Sequence, residues 1–158
     1  MSASEDIAAV RLATVADADL VGRLLHDFSR EFDEPTPGAA RLAERVRQLL
    51  ADGEITVLVV GSEPGGVAIL HFRPSLSTAA SECYVSELYV VPARRRRGLG
   101  RGLLDAAVEL ARDRGADQMD LATSEDNLAA RSLYESAGFS NREGTADSPV
   151  MYFFEREL

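Results

Sequence analysis

The sequence predicts an α/β domain with a mixed sheet, and three observations lead there. Short runs rich in β-branched residues alternate with longer segments whose apolar residues recur at helical spacing. The runs at 55–61 and 67–73 are separated only by the turn-forming SEPGG, which reads as an antiparallel hairpin. Strand, helix and strand from 83 to 123 make a βαβ unit, whose right-handed crossover sets two strands parallel.

Taken in order, AAVRLA at 8–13 reads as a first strand. Thr14, with Asp17 three residues on, then starts a helix to about Glu31 with Leu20, Leu24, Leu25 and Phe28 on one face. EFDEPTPG breaks that helix, with Thr36 as a candidate cap, and a second helix runs to about Leu50 before Asp52 and Gly53 end it. After the hairpin, CYVSELYVV at 83–91 is a strand stopped by Pro92. A helix from about Gly98 to Arg114 is closed by Gly115, and MDLAT at 119–123 is a short strand. SEDN opens a helix that Gly138 ends, and PVMYFFEREL reads as a last strand, with one further strand near Phe139. The elements interleave without a linker, so residues 1–158 read as one domain.

Composition narrows the function classes. No apolar run approaches the roughly 20 residues that span a bilayer, and Glu5 and Asp6 stand where a secretory leader needs basic residues. A cytoplasmic protein with no membrane contact is therefore expected. The single cysteine, Cys83, sits in an apolar run and reads as a buried hydrophobe; His26 and His71 are isolated and read as structural, so no metal site is expected. A net charge of −9 repels nucleic acid.

Against that acidity, VVPARRRRGLGRGLL at 90–104 packs arginines and glycines between apolar runs. A phosphate-binding P-loop would need a lysine, and the chain has none; a dinucleotide fingerprint would need glycine where Leu103 stands. A basic nucleic-acid patch would continue along the helix, which instead carries Asp105 and Glu109. A strand ending at Val91 followed by a helix starting near Gly98 leaves the first helical N–H groups without partners, at the positive end of the helix dipole. Glycines allow close approach and arginines add charge-assisted hydrogen bonds, so a phosphate-bearing ligand fits. An ordinary solvated helix start is the alternative.

Arg95, Gly98 and Gly100 form R-x-x-G-x-G after the L-x-V of Leu88 and Val90 and the proline Pro92. This resembles the acyl-CoA motif of the GNAT superfamily of N-acyltransferases. A second block agrees: Asn127, Ala130, Leu133, Tyr134, Gly138 and Phe139 are similar to the superfamily's N-x-x-A-x-x-L-Y-x-x-x-G-F motif. The resemblance spans roughly residues 8–157. It implies a mixed sheet of six or seven strands splayed at its middle, with about four helices on both faces. It also implies acetyl-CoA as cosubstrate, its pyrophosphate on the N–H groups of Arg96, Arg97, Gly98, Leu99, Gly100 and Arg101. The backbone of Leu88, Tyr89 and Val90 would pair with the pantetheine arm, with Asn127 bonding the same arm or simply capping its helix.

Acyl transfer to an amine needs a base for the amine and a proton for the departing thiolate. Tyr134 resembles the superfamily tyrosine that protonates sulfur; a core aromatic is the alternative. Glu87, on the strand beside the slot, is the candidate base, with a salt bridge to arginine as the alternative reading. Period-two alternation sets Ser86 and Glu82 on the opposite face from Glu87 unless a bulge intervenes. Some relatives carry a carboxylate where this chain has Ala122 and Thr123. The expectation is an N-acetyltransferase acting by direct transfer on an amine of a small molecule or peptide, with the acidity favouring a cationic acceptor. A non-catalytic acyl-CoA sensor is the competing class, and PVMYFF leaves pairing in a homodimer open.

Overall fold

β-Branched runs become strands and the 3.6-residue apolar repeats become helices in the computed structural model, which describes residues 10–61, 63 and 65–158. The chain divides into two compact units, one ending at Leu121 and the other Ala122–Leu158.

The first unit holds β1 (Arg11–Leu12), α1 (Ala18–Glu31), α2 (Ala39–Ala51), β2 (Thr56–Val60), β3 (Gly66–Pro74), β4 (Ser81–Val90), α3 (Leu99–Asp113) and β5 (Ala116–Asp120). The strands lie in sequence order, β1-β2-β3-β4-β5. All neighbours are antiparallel except β4 and β5, which the α3 crossover makes parallel. The Thr14 N–H donates to Asp17 at 2.8 Å before α1, as the sequence spacing predicts. Arg11 and Thr14 together hold the Asp17 carboxyl down at about 2.

The sheet is covered on both faces, which is why β2 is apolar at nearly every position. On one face Val21 and Leu24 of α1 and Val46 of α2 pack with Val57, Val59, Val67, Ile69 and Tyr89. On the other, Leu99, Leu103, Ala107 and Ala111 of α3 pack with Leu58, Val60, Ala68, Leu70, Cys83 and Val85. Cys83 is thus a buried core residue, and burial pushes its thiol up to about 11.

The second unit contains α4 (Leu128–Ser136), capped by Asn127, whose Oδ1 accepts from the Ala130 N–H at 3.1 Å. Gly138, with φ of +91°, turns the chain so that the Phe139 N–H donates to the Tyr134 carbonyl at 3.0 Å. Beyond it one bridge, Arg142 to Val150, is formed, and residues 151–158 are not in a strand.

Among the described residues the sheet has five strands, so the expected six or seven are not confirmed. PVMYFFEREL has strand composition, but a strand exists only through a hydrogen-bonded neighbour, and a run of consecutive apolar residues specifies none. The strand expected at 119–123 instead begins at Ala116, directly after Gly115, and stops before LAT. Part of the first expected strand, at 8–9, lies outside the described residues. Among the described residues no helix is long and apolar enough to cross a membrane.

Helices α1 and α2 meet at Gly22. A Cβ there would lie 2.6 Å from the Ala43 nitrogen and 2.7 Å from the Ala39 carbonyl oxygen, backbone atoms that cannot swing aside. Gly22→Ala should therefore destabilise the protein by about 1–3 kcal/mol in urea unfolding, although alanine is the better helix former.

Candidate active site

The site is built around β4. Register against β3 runs Val67 to Tyr89 and Ile69 to Glu87, then slips to Leu70 opposite Val85, so Ser86 is an extra residue in the strand. Such a bulge turns two successive side chains the same way and resets the alternation beyond them. The Ser86 hydroxyl meets His71 Nε2 at 2.9 Å, and His71 and Arg73 stand opposite Tyr84 and Glu82. Glu82, Tyr84, Ser86 and Glu87 consequently share the face covered by α1 and α2. Simple alternation had set Ser86 and Glu82 on the opposite face from Glu87; the bulge reverses that.

Glu87 is half-buried, and burial first, then the negative charge of Glu34, pushes its carboxyl above the ordinary value. Among the described residues it has no arginine partner, so the salt-bridge reading of this side chain is not what the structure contains. His71, lowered by burial, tends to the neutral ring.

Strand β4 is also where the sheet opens. It pairs with β5 only from Ser81 to Tyr84, leaving Val85–Val90 without a strand partner on that side among the described residues. The Val91 N–H donates to Gly65 across the sheet at 2.8 Å. By antiparallel alternation the peptide groups of Leu88 and Val90 then face away from β3, into the opening.

After Val91 the chain makes one 3₁₀ turn, Pro92–Arg94, and enters α3 through two left-handed residues, Arg96 at φ +62° and Gly98 at φ +80°. Among the described residues the backbone N–H groups of Arg96, Arg97, Gly98, Leu99 and Gly100 donate to no protein acceptor. The first N–H bond into the helix is Gly102 to the Gly98 carbonyl, at 2.9 Å. Five successive amides at the positive end of a 15-residue helix can hold an anionic group such as a diphosphate.

The arginines divide by partner. Arg94 donates to the Glu63 carbonyl at 2.6 Å, and Arg101 pairs with Asp105 at 2.9 Å. Arg95 turns inward: its Nε donates to the Val90 carbonyl at 2.9 Å and its Nη2 to both Glu31 carboxylate oxygens at 2.8 and 2.7 Å. Arg96 and Arg97 are exposed and make no hydrogen bond or ion pair among the described residues. Glu31 also accepts from the Tyr89 hydroxyl at 3.2 Å, and burial plus that carboxylate push the Tyr89 phenol up to about 12. Sequence reasoning missed Glu31, since no local pattern joins it to the arginine run.

In the second unit, Asn127 is the helix cap described above. The Tyr134 ring stands 6.3 Å from that of Phe139, burial raises its phenol above the ordinary value, and its hydroxyl has no hydrogen-bond partner among the described residues. Glu87, Leu88, Tyr89, Val90 and the Arg95–Arg101 turn belong to the first unit; Asn127 and Tyr134 belong to the second.

Residues 21–139 match the model of the acetyltransferase (GNAT) family. The chain belongs to the GNAT acetyltransferases. A crystal structure of a protein assigned as an acetyltransferase from Arthrobacter sp. FB24 superposes with a TM-score of 0.85 and 42% identity, covering 94% of this chain and 95% of that one. Among curated proteins, an uncharacterized N-acetyltransferase of Bacillus subtilis is 28% identical over 85% of this chain and 91% of its own length. A mycothiol acetyltransferase of Beutenbergia cavernae is 34% identical over 67% of this chain and 36% of its own length. This GNAT acetyltransferase is accordingly an acyl-CoA-dependent N-acyltransferase, and acetyl-CoA is the family's cosubstrate.

A carboxyl raised in the folded state binds its proton more tightly there than in the unfolded chain. Its contribution therefore declines as pH climbs from the ordinary 4.5 through the raised value. Glu87→Gln should raise the melting temperature at pH 8, and that advantage should shrink towards pH 4. Thermal melts across that range check it.

Proposed function

We propose that this GNAT acetyltransferase moves an acetyl group from acetyl-CoA to an amine of a small molecule or peptide, by direct transfer while both substrates are bound. The observation that carries this reading is the run of unbonded amides from Arg96 to Gly100, one strand-end away from the unpaired edge of β4. The amides of Arg96–Arg101 would hold the diphosphate, with the Arg96 and Arg97 side chains free to add charge-assisted hydrogen bonds. Leu88 and Val90 would bond the amide-rich pantetheine as a neighbouring strand does, and Asn127 can serve the same arm.

Glu87 is proposed as the base. It would take a proton from the acceptor, directly or through a water, so that the nitrogen lone pair can form the new C–N bond. Its raised value suits that task, because an acid–base group works best when its pKa lies close to the operating pH. As the C–S bond breaks, Tyr134 would deliver a proton to the thiolate. A phenol raised by burial stays protonated until that moment. No protein nucleophile is needed; the buried Cys83 thiol, pushed up to about 11, is unsuited to be one.

On the face that the acceptor would meet, Glu82 is already paired with Arg73 at 2.8 Å, while Glu87 has no arginine partner among the described residues and Glu34 is close enough to raise it, which supports a cationic amine. Relatives named as mycothiol and aminoglycoside acetyltransferases support the small-molecule class.

A thiol-release assay with acetyl-CoA across a panel of amines tests the reading. Tyr134→Phe is expected to lower kcat by about 10²–10⁴-fold, the range of a lost general acid, while KM for acetyl-CoA changes by about threefold or less. Stabilisation by CoA without turnover on any amine would instead assign the chain to the non-catalytic acyl-CoA sensors.

A further inference from the structure

Arg95, the first arginine of R-x-x-G-x-G, directs its hydrogen bonds to the protein although its side chain is 41% exposed. Nε donates to the Val90 carbonyl, Nη2 to both oxygens of Glu31, and the backbone N–H to the Pro92 carbonyl at 3.3 Å. Its guanidinium lies 5.7 Å from the centroid of the Tyr89 ring, which stacks on Phe28 of α1 at 4.9 Å and 15°. The Tyr89 hydroxyl then returns to Glu31. Glu31, Arg95 and Tyr89 thus form a closed ring of contacts from the end of α1 to the end of β4 and the turn beyond it.

Glu31 occupies an unfavourable position for its own helix. It is the last residue of α1, where the exposed carbonyls make the dipole negative and a carboxylate is repelled. Helix stability does not account for an acid there; an arginine whose Nη2 donates to both carboxylate oxygens does. The fastened residue also adjoins the one that needs fastening. Arg96 takes a left-handed conformation that a side chain adopts at a free-energy cost, and such a conformation persists where its neighbours determine it.

We propose that Glu31 is a positioning residue: by clamping Arg95 it fixes the turn whose amides receive the diphosphate, so Arg95 serves binding through its internal contacts and not by touching the ligand. This rests on the reading that the turn binds acyl-CoA. Amides held in place beforehand need no ordering when the ligand arrives, and loss of the clamp returns that ordering cost to the binding step.

The test is a double-mutant cycle on the full chain, with Glu31→Gln, Arg95→Gln and the pair. KM for acetyl-CoA and kcat come from thiol release, the dissociation constant of CoA from calorimetry, and ligand-free melting checks folding. Glu31→Gln should weaken CoA binding and raise KM by about five- to tenfold with kcat within about twofold. Arg95→Gln should do the same, and the pair should be no worse than either alone. If Arg95 instead contacts the diphosphate, Arg95→Gln will lose far more than Glu31→Gln, and freeing it by Glu31→Gln will leave affinity unchanged or improved. Either result, or additive losses in the pair, overturns the clamp while wild-type CoA binding leaves the functional reading standing. A wild-type protein that does not bind CoA overturns both.

Discussion

A parallel strand pair that separates after four residues leaves peptide groups of one strand without a neighbour, and peptide groups withdrawn from water need partners. Here β4 leaves β5 after Tyr84, and the N–H and C=O groups of Leu88 and Val90 face the opening. The Val90 carbonyl is taken up by Arg95 Nε, and the same strand then feeds a turn whose amides from Arg96 to Gly100 are unbonded among the described residues. The open edge of β4 and those amides lie along one stretch of chain, which would give a long amide-rich molecule ending in a diphosphate successive hydrogen-bonding partners. Fold and ligand class are linked through this deficit of hydrogen bonds, more than through the shape of any cavity.

Local charge works against the overall charge of −9 in a graded way. Of the five arginines in the turn after β4 and the first turn of α3, three are fastened to the protein's own oxygens, at Glu63, Glu31 and Asp105. Those pairs shape the turn and add little positive field. Arg96 and Arg97 supply the exposed charge. On the covered face of β4 the balance is opposite: Glu87 is half-buried beside Glu34 with no cation bonded to it, which is unfavourable for stability and useful for taking a proton. The proposed anion and cation sites, both towards the C-terminal end of β4, thus differ in how the side chains around each are paired.

Much of this was legible in the sequence because it is local. Thr14 and Asp17, Asn127, Gly115 and Gly138 mark helix ends by chemistry within a few residues. The order strand, arginine turn and glycine-rich helix suggests the proposed anion site without any distant information. What was not legible depends on neighbours far along the chain. The bulge at Ser86 is fixed by pairing with β3, and it moves Ser86 and Glu82 to the face of Glu87, against simple alternation. Glu31 meets Arg95 across 64 positions. PVMYFF has the composition of a strand, yet composition names no partner, and beyond Val150 the described residues form none.

The central claim is that a diphosphate lies on the amides entering α3. Amide resonances of ¹⁵N-labelled protein, followed through separate titrations with CoA and with pantetheine alone, test it most directly. Large shifts at Arg96–Gly100 with CoA, and little change there with pantetheine, are the expected result. Saturable CoA binding that leaves those five signals in place, or equal shifts with both compounds, would contradict it.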